Sequence, residues 1–246
     1  MKKLIAVLLF FTCLQYIYTL ETEEEFSEEN TDIESSCKIN ITLKQIEGYF
    51  RGEHTRGNDF LYELSAIGAI ELESKYLFRG GLSFGWTLSD LEVNTFIGTA
   101  YSPFAKIPLS FSVSYIYNGL PVYENHTHSI LPFISYHAKR AGISLGANFR
   151  FTRFFGEKAQ FETVLSFYTY LNFVNNETLR IGIGCGNFND FYAKNLGALF
   201  LNVYASIRLN EKWQIANEID FMQSGLDGLT TTTYGISIRT GVKYTW

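Results

Sequence analysis

The 246-residue sequence has little of what punctuates or staples small folds: four Pro, three Cys, three Trp and two Met. So few prolines exclude a proline-rich or collagen-like chain. The cysteines, Cys13, Cys37 and Cys185, lie too far apart for a disulfide scaffold or a thiolate metal cluster, although an exported chain could close one Cys37–Cys185 bridge. Beyond the N-terminus there is no second apolar run of the roughly 18 residues that a membrane helix needs, which excludes a helical membrane bundle. Basic excess is missing too. Residues 1–36 hold two of the 20 basic and eight of the 25 acidic residues, so the body from Cys37 onward has 18 basic against 17 acidic. That near-neutral body has none of the cationic surplus of a nucleic-acid binder.

What the chain does have is aromatic side chains, 22 Phe and 16 Tyr among them, at a mean hydropathy of zero. Lys2 and Lys3 precede an apolar stretch from Leu4 to Phe11 that continues to Leu20, the layout of a secretory signal peptide over residues 1–20 with cleavage between 18 and 25. Residues 21–36, ETEEEFSEENTDIESS, read as an acidic, solvated tail.

From Ile39 onward the hydrophobic period is two. Tyr234, Ile236, Ile238, Val242, Tyr244 and Trp246 share one face, against Gly235, Ser237, Arg239, Gly241, Lys243 and Thr245, with Thr240 out of pattern. Ile143 to Thr152 and Leu199 to Leu209 alternate likewise, apart from a misplaced Phe200. The pattern predicts twelve strands, with ten or eight as alternatives: 39–51, 60–72, 77–88, 92–102, 107–118, 129–138, 142–154, 161–173, 179–189, 196–209, 213–223 and 232–246. Pro132 weakens the sixth, because it removes a ladder donor. The connections are too short for crossover helices, so neighbouring strands are antiparallel. Tight turns fall mostly after even strands, and the longer polar stretches 52–59, 119–128, 188–195 and 224–231 after odd ones.

The polar faces are rich in Gly, Ser, Thr and Asn, the strands are long enough to cross a bilayer at a tilt, and aromatics such as Trp86, Tyr101, Phe173 and Trp213 sit near strand ends. Together these favour an all-β fold over residues 37–246: a closed antiparallel transmembrane β-barrel with its apolar face toward lipid. The C-terminal strand with alternating Val242, Tyr244 and Trp246 resembles the C-terminal signature of bacterial outer-membrane barrels. That resemblance implies a bacterial outer-membrane location, a barrel-assembly signal at those three residues read by the assembly machinery, an acidic tail on the periplasmic side, and a monomer surrounded by outer-membrane lipid.

The polar faces carry Glu63, Glu71, Arg79, Arg150, Glu162, Arg180, Arg208, Glu218, Asp220, Arg239 and Lys243, the expected lumen-facing residues. Five acids against six bases suit either a paired network that braces the interior or a narrow pore lined by fixed charge. The expected activity is therefore passive passage of small solutes, the alternative a structural, ligand-binding or adhesion barrel without transport. A lipid hydrolase is the remaining class. His126 and His128 lie beside Ser129, but neighbours in sequence do not make an activated nucleophile, and no catalytic residue, metal site or cofactor is expected.

Overall fold

The computed structural model describes residues 41–73, 75–104, 107–121, 125–194, 198–224 and 233–246. The predicted signal peptide, the acidic segment, Cys13 and Cys37 lie outside the described residues. Cys185 is a free thiol.

Twelve strands follow one another: β1 (Ile41–Thr55), β2 (Leu61–Leu72), β3 (Tyr76–Trp86), β4 (Leu91–Tyr101), β5 (Leu109–Leu120), β6 (Asn125–His137), β7 (Ala141–Arg153), β8 (Gln160–Asn175), β9 (Leu179–Gly186), β10 (Ala198–Arg208), β11 (Trp213–Ser224) and β12 (Thr233–Thr245). Each pairs antiparallel with its neighbours in sequence, and β1 pairs with β12 from Gln45↔Thr245 to Thr55↔Gly235, closing the barrel. Closure satisfies every sheet edge, as a non-aqueous surround requires.

The usual inside and outside are exchanged. Large apolar side chains stand on the outer surface, with Ile97 67%, Leu165 57% and Ile238 56% exposed, while Ser83, Asn94, Asn148, Ser166 and Asn202 are sealed within. An apolar surface that encircles the molecule is matched by hydrocarbon, not by water. Aromatic residues rim this belt at both ends. Phe60, Tyr62 and Trp86 stack at the end of the longer loops, and Tyr76 with Tyr101, and Trp213 with Tyr244 and Trp246, at the end of the tight turns. The two residues out of pattern have partners of their own kind. Thr240 donates its hydroxyl to the Oδ1 of outward Asn217 at 2.7 Å, pairing one hydroxyl with one amide oxygen on the apolar face, and inward Phe200 packs on Tyr168.

Pro132 lies inside β6, not at its edge. It keeps register with Val113 on β5, but the ladder to β7 skips from Ile130↔Phe149 to Phe133↔Gly146. The strands close tightly beside that break, since a Cβ on Gly146 would overlap the Pro132 carbonyl. Strand β6 also starts earlier than the alternation predicts, at Asn125, which puts His126 and His128 on a strand instead of in a loop. Strand β9 ends earlier, at Gly186, and the reason lies in the lumen.

Candidate functional site in the lumen

Residues 187–194 do not project outward as a polar loop. Asn187 turns the chain into the barrel: its Nδ2 donates to the Leu165 and Lys194 carbonyls at 2.9 and 3.0 Å, and its Oδ1 accepts the Phe167 N–H at 2.9 Å. Phe188 bridges Ala193, and Asn189 Oδ1 accepts the N–H groups of Phe191 and Tyr192. An asparagine that satisfies the amides two and three residues on builds a tight turn without a flanking sheet. The product is a miniature hairpin held inside the lumen.

Its apolar side chains have a prepared wall. Phe191 is 3% exposed and meets Phe96 edge-to-face at 5.1 Å, and Phe188 stacks on Phe133 at 4.2 Å. Ile67, Ile116 and Leu131 complete the cluster, all pointing inward from β2, β5 and β6. Here the interior departs from the purely polar lumen that alternation suggests.

Polar clamps hold the hairpin's other side. Asp190 makes a bidentate pair with Arg79 at 2.9 and 3.1 Å. Burial pushes the Asp190 carboxyl up, but Arg79 and Arg239 outweigh it and hold the group below the usual carboxylate range. The Tyr192 hydroxyl donates to Glu63 at 2.5 Å, lies 3.3 Å from Glu92, and accepts from Asn94 at 2.9 Å. Burial drives that phenol well above its ordinary range, so it stays a donor. Arg51 sits over the Tyr192 ring and bonds Glu53 and Glu63, and Arg150 pairs with Glu162 and reaches the Ala193 carbonyl at 3.3 Å.

Of the remaining polar-face residues named from the sequence, Glu71, Arg180, Arg208 and Lys243 lie toward the turn end, while Glu218, Asp220 and Arg239 share the register of Arg51 and Glu53. Glu71 pairs with Lys44 at 3.1 Å, Glu218 with Arg239 at 3.6 Å, and Lys243 with Glu47 at 4.0 Å. Asp220 accepts from Ser237, and Arg180 donates to Asn172 while lying over the rings of Tyr170 and Tyr204. Arg208 is exposed at the end of β10. Two adjoining spaces of about 570 and 530 Å³ open here, sharing Tyr168, His137, Glu218 and Arg239 in their walls. Among the described residues no group of three or more His, Cys, Asp or Glu side chains could hold a metal ion.

Glu47, Arg51, Glu53, Glu92, Asp190 and Tyr192 belong to the site but not to the set named from the sequence. The β1 residues lie in a strand whose outward face is diluted by Gly48 and Gly52, which blurs its phase. Asp190 and Tyr192 lie in a stretch whose polar composition reads as a loop. Three aromatics within five residues, Phe188, Phe191 and Tyr192, were the available signal that it is buried.

No protein-family model matches the chain, and no curated protein matches it. Solved structures do. A structure titled as the KdgM porin in complex with disordered oligogalacturonate superposes with a TM-score of 0.53 at 12% identity, covering 81% of this chain and 99% of that one. The NanC porin gives 0.56 at 11%, covering 81% and 100%. An outer membrane channel from Pseudomonas putida F1 gives 0.52 at 10%, covering 87% and 100%. The chain therefore has the twelve-stranded closed barrel fold of outer-membrane porin-like proteins.

Proposed function

We propose that this barrel is a bacterial outer-membrane channel for small polar solutes, closed in the conformation described by the hairpin at residues 187–194. The observation that carries the reading is that an apolar-anchored hairpin shares the lumen with a polar wall whose groups are incompletely paired. Both amide atoms of Asn148, and Ser166 Oγ, Asn202 Oδ1 and Asp220 Oδ1, are buried without a protein hydrogen-bond partner. Each such group costs about 1–3 kcal/mol to leave unpaired, so the polar wall gains when water reaches it. The apolar contacts of Phe188 and Phe191 oppose that gain. A wall that gains from water, and a hairpin held in the same lumen by apolar contacts, suit a gate better than a permanent core.

The vestibule favours anions. The carboxylates that line the two spaces forming it, Glu47, Asp190 and Glu218, are each matched by a base, whereas Arg180 has no carboxylate partner among the described residues. The outward-facing Val242, Tyr244 and Trp246 form the segment for the assembly machinery to read. The barrel acts as a monomer in outer-membrane lipid.

Flux tests this reading. Liposomes holding the refolded barrel are expected to admit small sugars and amino acids, to exclude long oligosaccharides, and to give a reversal potential in a salt gradient that is weighted toward anions. Liposomes as tight to small solutes as protein-free ones, under every voltage and pH applied, would leave a binding or structural barrel as the better reading.

A further inference from the structure

The outer surface of β5, β6 and β7 carries a polar cluster where the apolar belt ends at the loop side. The Tyr117 hydroxyl lies 2.8 Å from His126 Nδ1, and the Tyr115 hydroxyl 2.7 Å from His128 Nδ1. Tyr117 also packs against both imidazoles, at 5.9 and 5.2 Å between ring centres. In register, His126 lies directly opposite Arg153 and His128 opposite Phe151. Arg153 is exposed and has no carboxylate partner among the described residues. One step toward the barrel's middle the outer face is apolar again, with Ile130 42% and Val113 49% exposed.

We infer that this cluster binds the anionic phosphate headgroup of a lipid in the leaflet at the loop end. The inference rests on the reading that the outer belt faces lipid. Phenol O–H groups donate to both Nδ1 atoms, assigned here because a phenol is a stronger donor than acceptor. Each imidazole then carries its hydrogen on Nε2, free of protein partners among the described residues. Two ring N–H donors beside one guanidinium form a positively biased set of donors at the depth where headgroup oxygens lie. Directly opposite residues in an antiparallel pair stand about 5 Å apart at Cβ, close enough for Arg153 and His126 to share one phosphate. An acyl chain can lie along the belt below while its phosphate meets the cluster above.

Native mass spectrometry of the folded full chain, released from detergent micelles, tests this with three probes: phosphatidic acid, zwitterionic phosphatidylcholine and inorganic phosphate. Wild type is expected to retain phosphatidic acid at about tenfold lower concentration than phosphatidylcholine, and inorganic phosphate not at all. The double variant H126F/H128F keeps the ring stacking and removes the donors; R153Q alters one exposed side chain. Both are expected to lose the preference while still migrating as heat-modifiable, folded barrels. No preference in wild type, or the same preference in R153Q, overturns the proposal. Retention of inorganic phosphate at the same concentration as phosphatidic acid overturns the lipid assignment. A barrel that prefers no lipid yet inserts into vesicles contradicts only the headgroup site; one that inserts into no vesicle contradicts the membrane reading as well.

Discussion

Replacing Phe191 with Ala is expected to release the hairpin from the lumen. The side chain is 3% exposed and lies among Phe96, Ile67, Ile116 and Leu131, and deleting a buried aromatic of this kind costs about 3–5 kcal/mol. The polar clamps are weaker. Arg79–Asp190 is bidentate, but a quarter to a third of each side chain is open to the lumen, so the pair is screened and holds less than the buried aromatic. Since about 1.4 kcal/mol is a factor of ten, the loss at Phe191 shifts the balance of docked to undocked hairpin by roughly a hundredfold or more. Trypsin reads this directly, because Lys194 is shielded only while the hairpin is docked. Folded Phe191→Ala barrels in detergent should be cut after Lys194 under conditions that leave the wild type whole, and Asp190→Asn should fall close to the wild type. Equal resistance in Phe191→Ala would mean that the aromatic cluster does not hold the hairpin.

The second large effect concerns the outside. Ile238 lies near the middle of β12, is 56% exposed, and stands opposite Ile219 on β11 and Gly52 on β1. On a water-facing sheet an arginine there would change stability by no more than about 0.5 kcal/mol. At the midplane of a bilayer the same change costs about 2–4 kcal/mol, which falls toward zero at the interfaces. Ile238→Arg is therefore expected to lower the stability of the barrel against urea in lipid vesicles by that amount, whereas an arginine at the exposed end residue Trp246 should cost far less. Equal stability of wild type and Ile238→Arg in vesicles would remove the lipid-facing assignment of this surface.

These two sites mark how far the sequence could be read. Ile238 was legible. Alternation from Tyr234 to Trp246, broken only at Thr240, assigns each side chain to a face, and a face that repeats over twelve strands makes both the strand number and the closed barrel readable from the residues alone. The phase was legible wherever the two faces differed in kind, which is why Arg79, Glu218 and Arg239 could be named for the polar side. It failed in β1, where glycines interrupt the outward face and Tyr49 lies inward, so Glu47 and Arg51 escaped. Phe191 was not legible in the same way. A period of two describes strands, and residues 187–194 leave the sheet; their placement depends on contacts with β2, β4, β5 and β6, more than fifty residues earlier in the chain. The histidines failed for a related reason. Loop-like composition around ENHTHS concealed a strand that pairs as far as Leu120↔Asn125.

The same interior explains what holds the hairpin in the lumen. Charged groups within it are matched nearly one for one, as Arg51 with Glu63, Arg150 with Glu162 and Arg239 with Glu218, so they brace the wall without drawing the hairpin in by net charge. Docking instead follows the apolar wall of Ile67, Phe96, Ile116, Leu131 and Phe133. The opposite wall stays polar and opens on the vestibule. On the proposed channel reading, a lumen divided in this way has one side that holds a plug and one that would conduct when the plug leaves.

The most direct test of that division is single-channel recording in planar bilayers from wild type and from a barrel in which residues 188–193 are replaced by two glycines. Small or rare openings are expected for wild type, and stable steps several-fold larger for the shortened hairpin. Equal conductance from the two barrels, or none from either once both are shown to be folded and inserted, would contradict that division.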